Sequence, residues 1–295
     1  MDMSACSEMK LPPPSYEVLG CRVNAVSAGT LTNVLEHAVQ SREPCIIANH
    51  NLHSVYLYHH DPDMPKFYRN AKYVHIDGMG LVVLARLVGV PLNASERVTY
   101  IDWLPLLLDR ARERNWRVFY LGSKPGVAGR AEEELRRRFT GLRIATSHGY
   151  FNIEGAENER ILQVIRKFAP DILLVGMGMP RQEKWILNNW KSLGSVVILP
   201  CGAALDYVAG EIPIPPRWAG HLCLEWLFRL MSEPRRLWKR YLIEPWHILR
   251  LVCASKAISA KRPEAAKAEI DALARNAEIE RIKTCRAADE PRKAA

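Results

Sequence analysis

Five short apolar runs, each released into a glycine or polar turn, constrain the fold of this chain more than any other feature. They are Pro44-Cys45-Ile46-Ile47-Ala48, Lys72-Tyr73-Val74-His75-Ile76, Arg117-Val118-Phe119-Tyr120-Leu121, Asp171-Ile172-Leu173-Leu174-Val175 and Ser195-Val196-Val197-Ile198-Leu199. Runs that stay apolar without alternating read as strands covered on both faces. Helical stretches between them, at 81–87, 127–139 and leading to Trp190, supply the cover. The pattern predicts an open, mostly parallel α/β sheet with helices on both faces. In such a sheet a ligand sits where strand C-termini meet loops, at the point where strand order reverses. Four of these junctions carry chemistry: Asp77, Ser123-Lys124, Arg181-Gln182 and Asp206.

After Gly210 the character changes. Ile212-Pro213-Ile214-Pro215-Pro216 is a stiff connector, and beyond it tryptophan and leucine alternate with arginine and lysine. Pro234 and Pro245 divide that segment into three short helices. Residues 211–262 hold ten basic and four acidic side chains, so six of the nine excess positive charges fall there. Basic amphipathic helices flanked by Trp218, Trp226, Trp238 and Trp246 suit an anionic membrane surface. Nucleic acid is not expected, because no recognition signature accompanies the charge. A plain helical subdomain with its arginines reaching out to water is the other reading. Seven scattered cysteines with no C-x-x-C pair argue against a disulfide framework and fit a reducing compartment. The first residues lack the basic and apolar regions of a secretory signal. No apolar run reaches the roughly 18 residues needed to span a bilayer.

Each junction has a bland and a functional reading. Gly122-Ser123-Lys124-Pro125-Gly126 is either a turn before a helix or a phosphate cradle at a helix N-terminus. In Gly176-Met177-Gly178-Met179-Pro180-Arg181-Gln182, two glycines and a first-turn Arg181 and Gln182 can grip a diphosphate. Asp77 is either the cap of the following helix or a general base beside the crevice. Asp61-Pro62-Asp63 follows His59-His60 and superficially resembles a metal-binding D-x-D, but it stands in a polar, proline-containing turn. No serine-hydrolase or zinc-protease signature is present.

In order and at matching spacing, the blocks resemble the WecG/TagA/CpsF glycosyltransferases, glycosyltransferase family 26. The matching text is Ile76-Asp77-Gly78-Met79-Gly80, the Arg117–Val127 block, His148-Gly149-Tyr150-Phe151, and Pro170 to Trp185. It continues with Gly202 to Gly210, Pro216-Arg217-Trp218, Leu224 to Leu230 and Glu233 to Leu237. The resemblance covers about residues 18–250. It implies a Rossmann-like core at 16–210 and a membrane-associating helical appendage at 211–262; outside it, residues 1–15 read from composition as a disordered or extended lead-in and the Ala/Glu/Lys/Arg-rich 263–295 as a solvated helix or disordered tail. It also implies an inverting, β-forming transfer from a UDP-sugar to a polyprenyl-diphosphate-linked saccharide, in the making of a bacterial surface polysaccharide. By the same resemblance Asp77 is the general base. Asn49 stands where the family has a threonine, and Asn51 keeps the family's asparagine; both would orient a sugar. His53 replaces a residue that is often polar or acidic.

The resemblance and the junction chemistry together assign UDP to Gly122, Ser123, Lys124, Gly176, Met177, Gly178, Pro180, Arg181 and Gln182. Asp206 would contact sugar or uridine. Arg229, Arg236 and Lys239 would bring positive charge to a diphosphate. With Lys124, Arg181 and two helix starts facing the departing UDP, neither metal nor cofactor is expected. The implied site of action is the cytoplasmic membrane face, as a peripheral protein that self-associates. Two rivals stay open: a nucleotide-binding oxidoreductase on a similar sheet, and a membrane-surface protein that binds a nucleotide sugar without turnover.

Overall fold

The structure is a computed structural model that describes residues 12–216, 219 and 224–254. Its described residues up to 248 form one compact unit, which holds the sheet, and residues 249–254 belong to a second. Its elements in chain order are β1 (Ser15–Val18), β2 (Cys21–Asn24), α1 (Ala28–Ser41), β3 (Cys45–His50), α2 (Leu52–His60), α3 (Asp63–Asn70), β4 (Tyr73–Ile76) and α4 (Met79–Leu87). They continue as α5 (Tyr100–Glu113), β5 (Arg117–Gly122), α6 (Val127–Arg138), β6 (Arg143–Ser147), α7 (Gly155–Phe168), β7 (Ile172–Gly176), α8 (Arg181–Asn189), β8 (Val197–Pro200) and α9 (Ala204–Val208). Helices α10 (Glu225–Ser232) and α11 (Pro234–Leu242) follow, and a further helix begins at residue 244.

Six strands form one parallel sheet in the order β4-β3-β8-β7-β5-β6. All five expected strands are in it. Successive side chains point to opposite faces, and both faces are apolar. Val118, Tyr120 and Leu174 join a core with α1, α5, α6 and α9, whereas Phe119, Leu121, Leu173 and Val175 join one with α3, α7 and α8. That two-sided burial is why these runs do not alternate.

The order reverses at the β5–β7 pair. From β5 the chain proceeds through α6 to β6 on one side; from β7 it proceeds through α8 to β8 on the other. The two helices lie on opposite faces, so the loops after β5 and β7 part and leave a crevice. Gly122 and Gly176 are in register across it. A Cβ on Gly122 would run into the Gly176 carbonyl oxygen, and one on Gly176 would lie 2.5 Å from the Gly202 carbonyl oxygen. These two glycines therefore have a packing role that their sequence context did not disclose.

Three elements depart from the sequence reading. The hairpin β1–β2 begins at Ser15, and the Pro14 carbonyl accepts from Ala25 N–H at 2.9 Å, so the end of the expected lead-in is paired. Strand β6 has a single strongly apolar residue, Ile144, because it is an edge. The polar turn expected around residues 59–65 shrinks to Asp61-Pro62 between α2 and α3. Residues 1–11, Arg217, Trp218 and the tail at 263–295 lie outside the described residues. Among the described residues no helix is long and apolar enough to cross a membrane.

Candidate active site

At the C-terminal edge of the sheet lies a cavity of about 1000 Å³. The loops after β3, β4, β5, β7 and β8 make its floor and walls, and α10 and α11 roof it. Asn49, Asn51, Asp77, Ser123, Lys124, Gly176, Met177, Gly178, Gln182, Asp206, Arg229, Arg236 and Lys239 all line it. Gly122, Pro180 and Arg181 do not line it.

Asp77 leaves β4 with its N–H donated to the His50 carbonyl at 2.8 Å. The helix that follows is capped by Gly78, at φ +106°, without a side-chain hydrogen bond. The carboxylate is therefore not spent as a helix cap. It is half-buried and faces the cavity. Burial raises its pKa; Arg229 and Arg240 pull it down, Glu225 pushes it up, and a hydrogen bond with Asn51 favours the ionised form. The net displacement is upward, as suits a base.

Asn49 is buried, with Nδ2 donating to the Pro200 carbonyl at 2.7 Å and its own carbonyl accepting from Tyr68 at 2.9 Å. It ties the ends of β3 and β8 together beneath the cavity. Ser123 shares a 2.6 Å hydrogen bond with the Tyr120 hydroxyl and bonds Asp206, whose pKa is raised by burial. Lys124 is exposed and lies 3.7 Å from Glu211.

The loop after β7 is braced from within. Gln182 Oε1 accepts from Gly178 N–H at 3.2 Å, and its Nε2 donates to Glu183 at 2.8 Å. Arg181 donates to the carbonyls of Gly149 and Phe151 and lies over the Phe151 ring. Its guanidinium is thus engaged in holding the 149–151 loop, which sets Tyr150 at the cavity mouth.

The roof is fastened by charge and packing. Arg97 donates to both oxygens of Glu225 at 3.1 Å, His53 Nδ1 lies 2.7 Å from Glu244, and Leu237 is buried. Arg229 sits 6.0 Å from the Tyr207 ring centroid, with a buried Nε that has no partner. Arg236 pairs with Glu233, and Lys239 lies over Trp238; both are exposed at the mouth. The sequence reading missed Arg240, whose Nη2 lies 3.5 Å from Asn51 Oδ1. A signal for it existed. Leu237, Arg240 and Glu244 recur at helical spacing, and all three line the cavity.

Asp61 and Asp63 lie apart from these residues and face Lys184, at 2.9 and 3.7 Å. His59 and His60 bond the carbonyls of Leu19 and Tyr56. Among the described residues no His, Cys, Asp or Glu cluster has the arrangement of a metal site.

Glu183, behind the loop, gives a test of this interior. It is buried, Oε2 has no partner, and burial pushes its carboxyl up to about 7. The folded state then holds a proton that the unfolded chain releases above the ordinary carboxylate range. Stability therefore falls as pH rises from about 4.5 to 7. Glu183→Gln is expected to remove on the order of 3 kcal/mol of that loss. Thermal unfolding of both proteins at pH 5 and pH 8 measures it, and equal slopes would show that Glu183 is ionised when folded.

A doubly wound α/β sheet with a cavity at its switch point, lined by both basic and acidic side chains, defines a Rossmann-like protein with a ligand-sized site at its strand C-termini. The family model described as "Glycosyl transferase WecG/TagA/CpsF family" matches residues 16–262, and the chain belongs to that family. It is 31% identical over 170 residues to an N-acetylglucosaminyldiphosphoundecaprenol N-acetyl-beta-D-mannosaminyltransferase of Staphylococcus aureus, covering 58% of this chain and 63% of that one. To the transferase of the same name from Bacillus spizizenii it is 30% identical over 188 residues, covering 64% and 71%. The match thus spans less than two thirds of the length of the staphylococcal relatives.

Proposed function

We propose that this protein is an inverting glycosyltransferase that moves a sugar from a UDP-sugar to a polyprenyl-diphosphate-linked saccharide. The observation that carries the reading is Asp77: a carboxylate free of capping duty, half-buried in the cavity and flanked by roof arginines. The relatives' names suggest N-acetylmannosamine as donor sugar and N-acetylglucosamine on undecaprenyl diphosphate as acceptor.

The chemistry is a single displacement. Asp77 accepts the proton of the acceptor hydroxyl as that oxygen bonds to the anomeric carbon. The bond from that carbon to the β-phosphate oxygen breaks on the opposite face, and UDP departs with the electron pair. Its growing charge meets Arg229, Lys124 and the backbone N–H groups at the ends of β5 and β7. Gly122, Ser123, Gly176, Met177, Gly178 and Pro180 shape the UDP pocket. Arg181 and Gln182 act on it through the loops they brace. Asp206 contacts the ribose or uracil, Asn49 and Asn51 place the sugars, and Arg236 and Lys239 meet a diphosphate at the mouth. Residues 16–210 form the catalytic core and 211–262 an appendage resting on the inner face of the membrane. Supporting that last point, Trp226, Met231, Trp238, Leu242 and Trp246 are exposed on and after the roof helices.

The test is transfer from UDP-N-acetylmannosamine to a short-chain polyprenyl-diphosphate-N-acetylglucosamine, with and without excess EDTA. Product in both conditions is expected. No product from any UDP-sugar would overturn the reading, whereas loss in EDTA alone would overturn only its metal-free part.

A further inference from the structure

We propose that Arg240 is the positioning residue of the base: it fastens Asn51, and through Asn51 the Asp77 carboxylate, to the roof. The inference rests on Asp77 being the base. Asn51 links the two side chains. As the cap of α2 its Oδ1 accepts from Ser54 N–H at 3.0 Å, while Ser54 Oγ accepts from Asn51 N–H at 2.8 Å. Arg240 Nη2 approaches the same Oδ1 at 3.5 Å. With its oxygen committed to two donors, the amide turns its Nδ2 to Asp77 and donates there. That hydrogen bond favours the carboxylate over the acid.

The charges around Asp77 divide the labour. Arg229 and Glu225 face it from α10 and Arg240 from α11; the phenols of Tyr207, Tyr100 and Tyr68 face it from α9, α5 and α3. Burial raises all three phenols, which keeps them neutral. Glu225 is paired with Arg97. Two positive charges remain, and they differ. Arg229 lines the cavity with a buried Nε that has no hydrogen-bond partner, and it lies beside the Tyr207 ring. Arg240 is held among Asn51, Glu244 and His53, and its own pKa is lowered by burial. Both cations act on Asp77, but it is Arg240 that also reaches Asn51, the residue that bonds the base. The roof then does more than cover the cavity. With α11 seated, Asp77 gains a second cation beside Arg229 of α10, and Asn51, which bonds the carboxylate, gains its contact with Arg240.

The sign is definite. Turnover needs ionised Asp77, so it rises with pH through the carboxyl's pKa. Removing a neighbouring cation raises that pKa. In the full-length protein, Arg240→Gln is expected to move the acid limb of the kcat profile about one pH unit upward. KM for the UDP-sugar should stay within about twofold. Arg240→Lys keeps the charge but not the fork, and should move the limb the same way by less. Arg235→Gln, on the exposed side of α11, should leave the limb in place. An acid limb unmoved in both Arg240 variants overturns the assignment, whatever happens to KM. Should Arg240→Gln fail to fold, as thermal unfolding would reveal, the profile of Arg240→Lys decides alone. Wild-type turnover in Asp77→Asn would instead remove the base itself, so the two failures are distinguishable.

Discussion

Asp77→Asn is expected to lower turnover about a hundredfold or more while UDP affinity and thermal stability stay near wild type. Asparagine has the shape of aspartate, and the Asp77 N–H bond to His50 does not involve the side chain. No cap is lost either, because α4 starts at Gly78 without side-chain help. What disappears is the ability to take a proton. The proposed UDP pocket lies at the ends of β5, β7 and β8, away from β4, so donor binding should survive. Kinetics with saturating donor, together with a UDP-induced shift in unfolding temperature, separate the two effects. Turnover within a few fold of wild type would remove Asp77 from the role of base. A matching loss of UDP affinity would mean that it binds donor instead.

Much of this site was legible because strand ends announce themselves. An apolar run followed by glycine and a polar group marks both a buried parallel strand and the edge where ligands bind. Asp77, Ser123, Lys124, Gly178 and Asp206 were reached that way, and all line one cavity. Charge alone does not say which member of a polar cluster turns inward, although helical spacing from an apolar residue does. In α11, four basic residues crowd nine positions, and charge alone does not separate Arg240 from Arg236 and Lys239. Its spacing of one helical turn from the buried Leu237 does. Arg181 illustrates the opposite case. Its place in the first turn of a helix after a glycine loop suggested a phosphate, yet its Nη2 donates to two carbonyls of a neighbouring loop. Backbone carbonyls carry no sequence signature, so competition of this kind stays hidden until the chain is folded. The packing role of Gly122 and Gly176 was hidden for the same reason, since the contact that excludes a side chain comes from strands distant in sequence.

The second large effect is expected at the membrane. Met231, Leu242 and Trp246 are 73%, 54% and 67% exposed, values that water does not favour for side chains of this size. None of them lines the cavity. Complete burial of one such side chain contributes about 1.5–3 kcal/mol. Three that enter the headgroup boundary only part-way should together contribute about 3 kcal/mol, or roughly a hundredfold in binding. The triple change Met231→Ser, Leu242→Ser and Trp246→Ser is therefore expected to weaken binding to vesicles containing anionic lipid about a hundredfold. Turnover on a short, water-soluble acceptor should remain within about twofold of wild type, because the inward stripe of Leu237, Arg240 and Glu244 is untouched. Co-sedimentation with vesicles and the soluble assay measure the two halves separately. Basic residues alone would give binding that vanishes with salt, whereas the apolar face should hold the protein on vesicles at about 0.5 M salt. Undiminished sedimentation of the triple variant would assign these side chains to another partner. Equal loss in the soluble assay would show that they support the roof from outside, so that lipid and catalysis are coupled through α11 itself.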